Sequence, residues 1–254
     1  MMRRAYIIFR AIFFDPLILV MKFRAIPIFL KNIRNFNNQD RSRNFIIKWK
    51  NIRYYTYERY LNAGSIGGHY FLQDVWAASK IFDSGNKSHV DIGSRIDGFI
   101  AHLLPFCSVE YVDIRPMKSP FNKLVFKEGS ILSLPYSDDS VASLSCLHVI
   151  EHIGLGRYGD EVDSIGHIKA AKELVRILKP GGKLYIGTPV GKESLFFDAH
   201  RVFHVETVVE MFSGLSLESF DFIDDKGTEI KSQIDYSVAN ANRFGCGLFV
   251  FRKK

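Results

Sequence analysis

Cysteine is scarce in this 254-residue chain: Cys107, Cys146 and Cys246 stand far apart, with no Cys-x-x-Cys pair. That spacing excludes a disulfide framework and a thiolate metal knuckle, and it fits a reducing compartment. Long apolar runs are missing too. Arg10, Asp15, Lys22 and Arg24 interrupt the first thirty positions, so no stretch there reaches the roughly 18 uncharged apolar residues of a spanning helix. A cleavable signal is not expected either, because Arg10 breaks the apolar run of Met1 to Phe14, Asp15-Pro16 follows, and no small-residue cleavage site appears. Acidic side chains are rare at one end. Residues 1–60 hold 13 Lys/Arg against Asp15, Asp40 and Glu58, a local charge of +10, and with a total of +7 the remainder carries −3.

The rest of the composition is ordinary for a globular protein, with 47% hydrophobic and 24% charged residues, which excludes disordered and collagen-like classes. The length suits one α/β domain with an appendage. We therefore expect a basic, apolar N-terminal helical extension over residues 1–60 and a ligand-binding domain over 61–254. Tyr6 to Phe9, Ile12 to Phe14 and Leu17 to Val20, interleaved with Arg and Lys, suit peripheral contact of residues 1–30 with a membrane interface. A helical lid or a dimer surface needs the same residues. The expected location is cytoplasmic, extending to the inner face of the membrane; oligomeric state is open.

Pro16 and Pro27 predict short helical pieces, since each proline removes an amide donor and clashes with the preceding turn. Asn35 to Asn44 reads as a linker, and the aromatic-basic segment Trp49 to Tyr60 leads to a loop at Gly64 to Gly68. Beyond it the pattern is regular. Tyr70 to Phe82 predicts a helix facing inward with Val75, Ala78 and Phe82. Strands are expected at 89–92, 109–112, 124–126, 141–144 and 184–187, and a helix at 96–104. Ile165, Ile168, Ala171, Val175 and Leu178 mark another helix, with Asp163 or Ser164 as cap and Lys179 to Gly182 as stop. Alternation of this kind predicts a parallel sheet covered on both faces. The tail, with a helix at 205–212 and strands at 217–223 and 247–251, predicts antiparallel pairing at one edge.

Asp91-Ile92-Gly93-Ser94 sits where a strand turns into a helix, a place where glycine lets the backbone approach a ligand and a carboxylate can accept hydrogen bonds. Asp113 follows about twenty residues later at the next strand end, positioned for ribose hydroxyls. The three-glycine phosphate pattern of nicotinamide enzymes is absent.

Five blocks carry a resemblance: Val90 to Gly93, Val112 to Ile114, Glu128 to Tyr136, Ser140 to His152, and Leu178 to Leu184. In order and spacing, across roughly residues 87–254, they resemble class I S-adenosylmethionine-dependent methyltransferases. Gly68 to Asp74 and Glu151 to Asp160 also resemble a bacterial family of methyltransferase-like proteins. The resemblance implies a Rossmann-like fold with a mostly parallel seven-stranded sheet and an antiparallel edge strand, and S-adenosylmethionine as cofactor. It implies that Asp91 and Gly93 lie beside the methionine part, that Asp113 holds the ribose and that Ser130 and Ile131 border the adenine. Ser94, Ile114 and Leu147 are further expected cofactor contacts. Arg95 departs from the pattern at its second glycine, and Ser130 replaces an acidic residue.

Methyl transfer to an alcohol needs removal of the acceptor's proton, a task for a histidine near neutrality. His200 and His152 are the candidates, with Arg157, Tyr158, Asp160 and Arg201 as substrate contacts in a glycine-rich loop and after the fifth strand. His148 and His152, four apart, lack a third ligand, so no metal is expected. The expected reaction is O-methylation of a sugar or glycan precursor. A cofactor-binding adaptor attached through residues 1–60 is the alternative. Nucleic acid is the third choice, since no Asn-Pro-Pro-Tyr-like tetrad or cysteine nucleophile arrangement is present.

Overall fold

The computed structural model describes residues 16–39, 46–54, 60 and 67–254. The apolar run before Asp15, residues 40–44 of the expected linker, residues 55–59 of the aromatic-basic segment and the start of the glycine loop lie outside the described residues. The chain divides into two compact units, Met1–Ser65 and Ile66–Lys254.

In the first unit, α1 spans Pro16–Gln39 as one helix. Pro16 stands at its first position, where a missing amide proton costs nothing. The expected break at Pro27 does not occur: the helix continues through it and, against the linker reading, through Asn35 to Gln39. A 3₁₀ turn follows at Trp49–Asn51. Among the described residues no helix is long and apolar enough to cross a membrane.

The second unit opens with α2, His69–Asp83. Its inward face differs from the expected one. Val75 and Phe82 are 39% and 60% exposed, whereas Gln73, Asp74, Ala77 and Ile81 are buried. The reason lies in two glycines. A side chain at Gly187 would meet Gln73 Oε1 at 2.0 Å, and one at Gly98 would meet Asp74 Oδ2 at 2.2 Å. The helix thus rests two polar side chains in space that glycine leaves open, and it turns accordingly. Trp76 Nε1 adds a buried hydrogen bond to Asp221 Oδ2 at 2.8 Å.

Strand β1, Ser88–Ile92, leads to a π-helical turn, Ile96–Ile100, that runs into α3, Ala101–Leu103. Then follow β2, Ser108–Asp113, β3, Leu124–Glu128, and β4, Val141–Leu147. Helix α4, Gly166–Ile177, buries Ala170, Ala171, Leu174 and Ile177, while Ile165 and Ile168 of the expected stripe are 49% and 37% exposed. Its side-chain cap is also absent; Asp163 Oδ1 instead accepts from the Ile165 amide at 3.0 Å. Strand β5 spans Leu178–Val190, the two-strand ribbon of β6, Ser194–Phe196, and β7, His200–Val202, follows, and α5, Val205–Met211, precedes β8, Leu215–Ile223. Strand β9, Lys231–Ser232, α6, Tyr236–Asn240, and β10, Gly245–Lys253, complete the chain.

The sheet order is β3-β2-β1-β4-β5-β10-β8-β9. Strands β1 to β5 are parallel; β10 runs antiparallel between β5 and β8, with the two-residue β9 outside. This is the mostly parallel sheet expected from the sequence, with the antiparallel strand set one place in from β8. One apolar cluster, around Leu144, Leu174, Ile186 and Phe249, covers one face. A second, around Ala77, Phe99, Leu103 and Leu248, covers the other.

The expected stop at Lys179 to Gly182 lies inside β5, where β4 pairs with a shifted register between Val141 and Ser143. A Cβ at Gly182 would lie 2.8 Å from Lys179 O and 3.0 Å from Val141 O, both backbone atoms that cannot turn aside. Gly182→Ala is therefore expected to lower stability by about 2 kcal/mol, read as a lower urea midpoint at unchanged m-value; an unchanged midpoint would show that the bulge relaxes freely.

Candidate active site

The parallel strands end along one edge, and the crevice of an open α/β sheet forms where strand order reverses, between β1 and β4. A chain of buried polar groups holds that edge. Asp91, fully buried, accepts from the Ser94 amide at 3.0 Å and the Ser94 hydroxyl at 2.6 Å. Ser145 of β4 also donates to Asp91, and Ser94 Oγ accepts from the Leu147 amide at 3.1 Å. His89 continues the chain, with its two ring nitrogens 2.7 Å from Ser143 and Ser145. Burial pushes the Asp91 carboxyl up to about 6 and the His89 imidazole down to about 3.

This corrects one expectation. Asp91 and its carboxylate oxygens do not reach the crevice, because Ser94 and Ser145 take them. Gly93 does reach it. Its φ is +69°, and a Cβ there would meet Val149 Cγ2 at 3.2 Å, so both the backbone conformation and the space favour glycine at this turn.

A cavity opens at this edge of the sheet. Gly93, Asp113, Ile114, Ser130 and Ile131, all expected from the sequence, line it together with Arg115, His148 and His152. Ser94 and Leu147 line the adjoining recess with Tyr70 and Arg95. Asp113 sits at the β2 terminus, its Oδ2 accepting from Tyr111 at 3.0 Å. Arg115 grips the same carboxylate from its amide at 2.8 Å and its guanidinium at 2.9 and 2.7 Å. Burial opposes ionisation of Asp113, but the Arg115 fork outweighs it and holds the carboxyl below its ordinary range. Arg115 also lies over the Tyr158 ring, 5.0 Å from its centroid. Sequence reasoning missed Arg115, although its spacing two residues beyond Asp113 was visible.

A second recess opens beside the first, lined by His69, Tyr70, His148, Glu151, His152, Arg157, Tyr158, Pro189, His200 and Phe244. His148, His152 and Tyr158 border both. His148 is the most constrained. Its backbone has φ 54°, a left-handed conformation that costs roughly 1–3 kcal/mol in a residue with a Cβ. Its amide donates to Gly187 O at 2.7 Å, and its Nδ1 lies 2.8 Å from Glu151 Oε1. Nε2 lies 3.6 Å from Cys246 Sγ. Burial disfavours charge on both His148 and Glu151, yet their neighbours prevail: the imidazole is raised by Cys246 and Glu151, and the carboxyl is lowered chiefly by His148. Thr188 Oγ1 donates to the other Glu151 oxygen at 3.3 Å.

His152 Nδ1 lies 2.6 Å from Ala199 O. A carbonyl can only accept, so Nδ1 donates to it, and Nε2 lies 3.8 Å from Glu151 Oε1. His200 packs between Phe196 and Phe244, and burial lowers its imidazole below the ordinary value. His69 Nε2 donates to Asp224 O at 3.2 Å. Sequence reasoning singled out His152 and His200 and passed over His69 and Glu151. Glu151 offered one signal, a carboxylate flanked by histidines at positions 148 and 152.

Of the expected substrate contacts, Tyr158 lines both recesses, Asp160 the first and Arg157 the second. Asp160 also braces the loop, accepting from the Gly154 amide at 2.8 Å. Arg201 is a correction. It reaches neither recess, because adjacent side chains of a strand point to opposite sides. While His200 faces the opening, Arg201 donates to the carbonyls of Glu151 and Ile153 at 3.3 and 2.8 Å. Among the described residues no group of three or more His, Cys, Asp or Glu is arranged to hold a metal.

A family model described as "Caenorhabditis protein of unknown function, DUF268" matches residues 133–253. No curated protein matches the sequence. Among solved structures, the chain is similar to a protein from Galdieria sulphuraria provisionally assigned as a sarcosine dimethylglycine methyltransferase: 17% identity, 71% of this chain, 85% of that one, TM-score 0.52. It is similar to the cyclase SpnF at 14% identity over 71% of this chain and 79% of that one, TM-score 0.52. The N-methyltransferase NodS of Bradyrhizobium japonicum, solved with S-adenosylhomocysteine, matches at 17% identity over 71% and 85%, TM-score 0.50. The chain has the Rossmann-like fold of class I S-adenosylmethionine-dependent methyltransferases. That a cyclase is among these neighbours means that the activity has to be argued from the site.

Asp113 and Arg115 allow a direct check. Asp113→Asn is expected to weaken S-adenosylhomocysteine binding by roughly 10- to 100-fold in calorimetry, from loss of charged hydrogen bonds. Arg115→Leu, which frees the carboxylate, is expected to keep or tighten it. Unchanged affinity in Asp113→Asn would remove Asp113 from nucleoside recognition.

Proposed function

We propose that this chain, built on the class I methyltransferase fold, is an S-adenosylmethionine-dependent O-methyltransferase acting on a sugar or glycan precursor. One observation carries the reading: His152, its ring oriented by the Nδ1 contact with Ala199 O, borders both recesses.

The residues of the larger recess suit the cofactor. Ile114 and Ile131 offer apolar walls to a base and Asp113 a carboxylate to ribose hydroxyls, once Arg115 yields its fork. The glycine cradle at Gly93 leaves room for the methionine end, with Ser94 and Leu147 in the adjoining recess. Bound there, S-adenosylmethionine supplies an electrophilic methyl group.

The protein's part is to orient the acceptor, exclude water and take one proton. An acceptor hydroxyl donating to His152 Nε2 becomes a better nucleophile as its proton moves to that nitrogen. Glu151, 3.8 Å away, stabilises the resulting imidazolium, and its own position is set by His148 and Thr188. His200, kept neutral by burial, is a second acceptor of hydrogen bonds in the same recess. Tyr70, Tyr158 and Phe244 offer aromatic faces between these imidazoles. A sugar matches that combination, with C–H faces for the rings and hydroxyls for the nitrogens. Arg157 at the same recess suits an anionic group on the acceptor.

The test is product formation across nucleotide-sugars, lipid-linked glycans and RNA, followed by S-adenosylhomocysteine release and mass spectrometry of the acceptor. We expect a methylated sugar. In His152→Asn, turnover should be slower by about two to four orders of magnitude, with S-adenosylhomocysteine affinity kept. Tight cofactor binding without turnover on any acceptor would favour the adaptor reading, and undiminished turnover in His152→Asn would exclude His152 as the base.

A further inference from the structure

The N-terminal unit presents a surface that the active site leaves unused. Along α1, Leu19, Phe23, Ile26 and Leu30 are 49%, 63%, 39% and 56% exposed. Their spacing of i, i+4, i+7 and i+11 at 100° per residue confines them to an arc of about 60°. The helix has a separate inner face. Ala25 is fully buried, Phe29 meets the Tyr54 ring edge-on at 5.1 Å, and the Tyr54 hydroxyl donates to Lys22 O. The outer stripe is therefore additional to the one that packs.

Charge selects what covers it. Pro16–Gln39 contains no Asp or Glu, Arg34 is exposed beside the stripe, and Arg24 and Lys31 are exposed farther round the same side of the helix. Lys48, Lys50 and Arg53, also exposed, follow in the 46–54 segment, beside Trp49 at 87% exposure. A second copy packing the same face about a two-fold axis would set these cations against their equivalents, with no acid on the helix to pair them. An anionic lipid surface meets both features, taking the apolar stripe at the acyl boundary and the cations among the headgroups. Length agrees: the stripe from 19 to 30 runs about 16 Å along an axis lying in the interface.

We propose that α1 is an interfacial helix that seats the protein on an anionic membrane through Leu19, Phe23, Ile26 and Leu30, with Arg24, Lys31 and Arg34 on phospholipid headgroups. This placement does not rest on the acceptor or on catalysis.

The test is co-sedimentation of the full chain with vesicles of phosphatidylcholine alone and of phosphatidylcholine with one third phosphatidylglycerol. Binding to the anionic vesicles is expected, falling at least about tenfold in Leu19→Ser/Phe23→Ser/Leu30→Ser. In Arg24→Gln/Lys31→Gln/Arg34→Gln it should fall on the order of 100-fold on anionic vesicles. S-adenosylhomocysteine affinity and circular dichroism of both variants serve to verify that they fold. No binding to either vesicle would overturn the proposal, as would equal binding by the serine variant. A dimer in sedimentation velocity that the serine variant dissolves, without vesicle binding, would assign the face to a second copy.

Discussion

A buried carboxylate anchors the part of this protein that holds its recesses. Asp91 lies at the end of β1 with no exposed surface, and the hydroxyls of Ser94 and Ser145 and the Ser94 amide converge on it. Removing a carboxylate from water is costly unless its oxygens are satisfied, so the turn after β1 and the end of β4 are fixed by one constraint. From that fixed edge, Gly93 approaches the cavity and Leu147 leads into His148. His89 extends the constraint down β4 through Ser143 and Ser145.

The other end of the recess is held by a different arrangement of space and charge. His148 keeps a backbone conformation that costs energy, and the contacts that hold it there are its amide on Gly187 and its ring on Glu151. Glu151 in turn stands between two imidazoles, contacting His148 closely and His152 at longer range. A local strain maintained by surrounding contacts is a mark of functional sites. Here it places one histidine where both recesses border it, beside a second, His152, that borders both as well.

Much of the fold was legible in the sequence because parallel strands and their helices leave regular traces. The Asp91 and Asp113 strand ends, the helix after the π-helical turn and the tail strands follow that periodicity. The misreadings have a common cause. In α2 and α4 the apolar residues visible by spacing were partly surface residues, since Gln73 and Asp74 occupy space opposite two glycines and Ala170 and Leu174 face the sheet. Pro27 fails to break α1 because a helix can forgo one hydrogen bond where the turns on both sides continue. Within the site, Gly93, Asp113, Ser130, Ile131, His152 and His200 were readable as residues near a strand edge. Arg115 and Glu151 were not, because their importance comes from which partner each meets.

The class of fold, the residues at the carboxyl ends of the strands and the concentration of positive charge in the first sixty residues follow from the chain alone, since periodicity, spacing and composition are written along it. Which of those groups face open space was settled only on folding. Asp91 was drawn into the support, Arg201 was turned to backbone carbonyls, and His148 with Glu151 was brought to the shared border of two recesses. The physical reason is that burial and pairing depend on neighbours from distant segments: a carboxylate is structural or available according to the hydroxyl, amide or guanidinium that reaches it first.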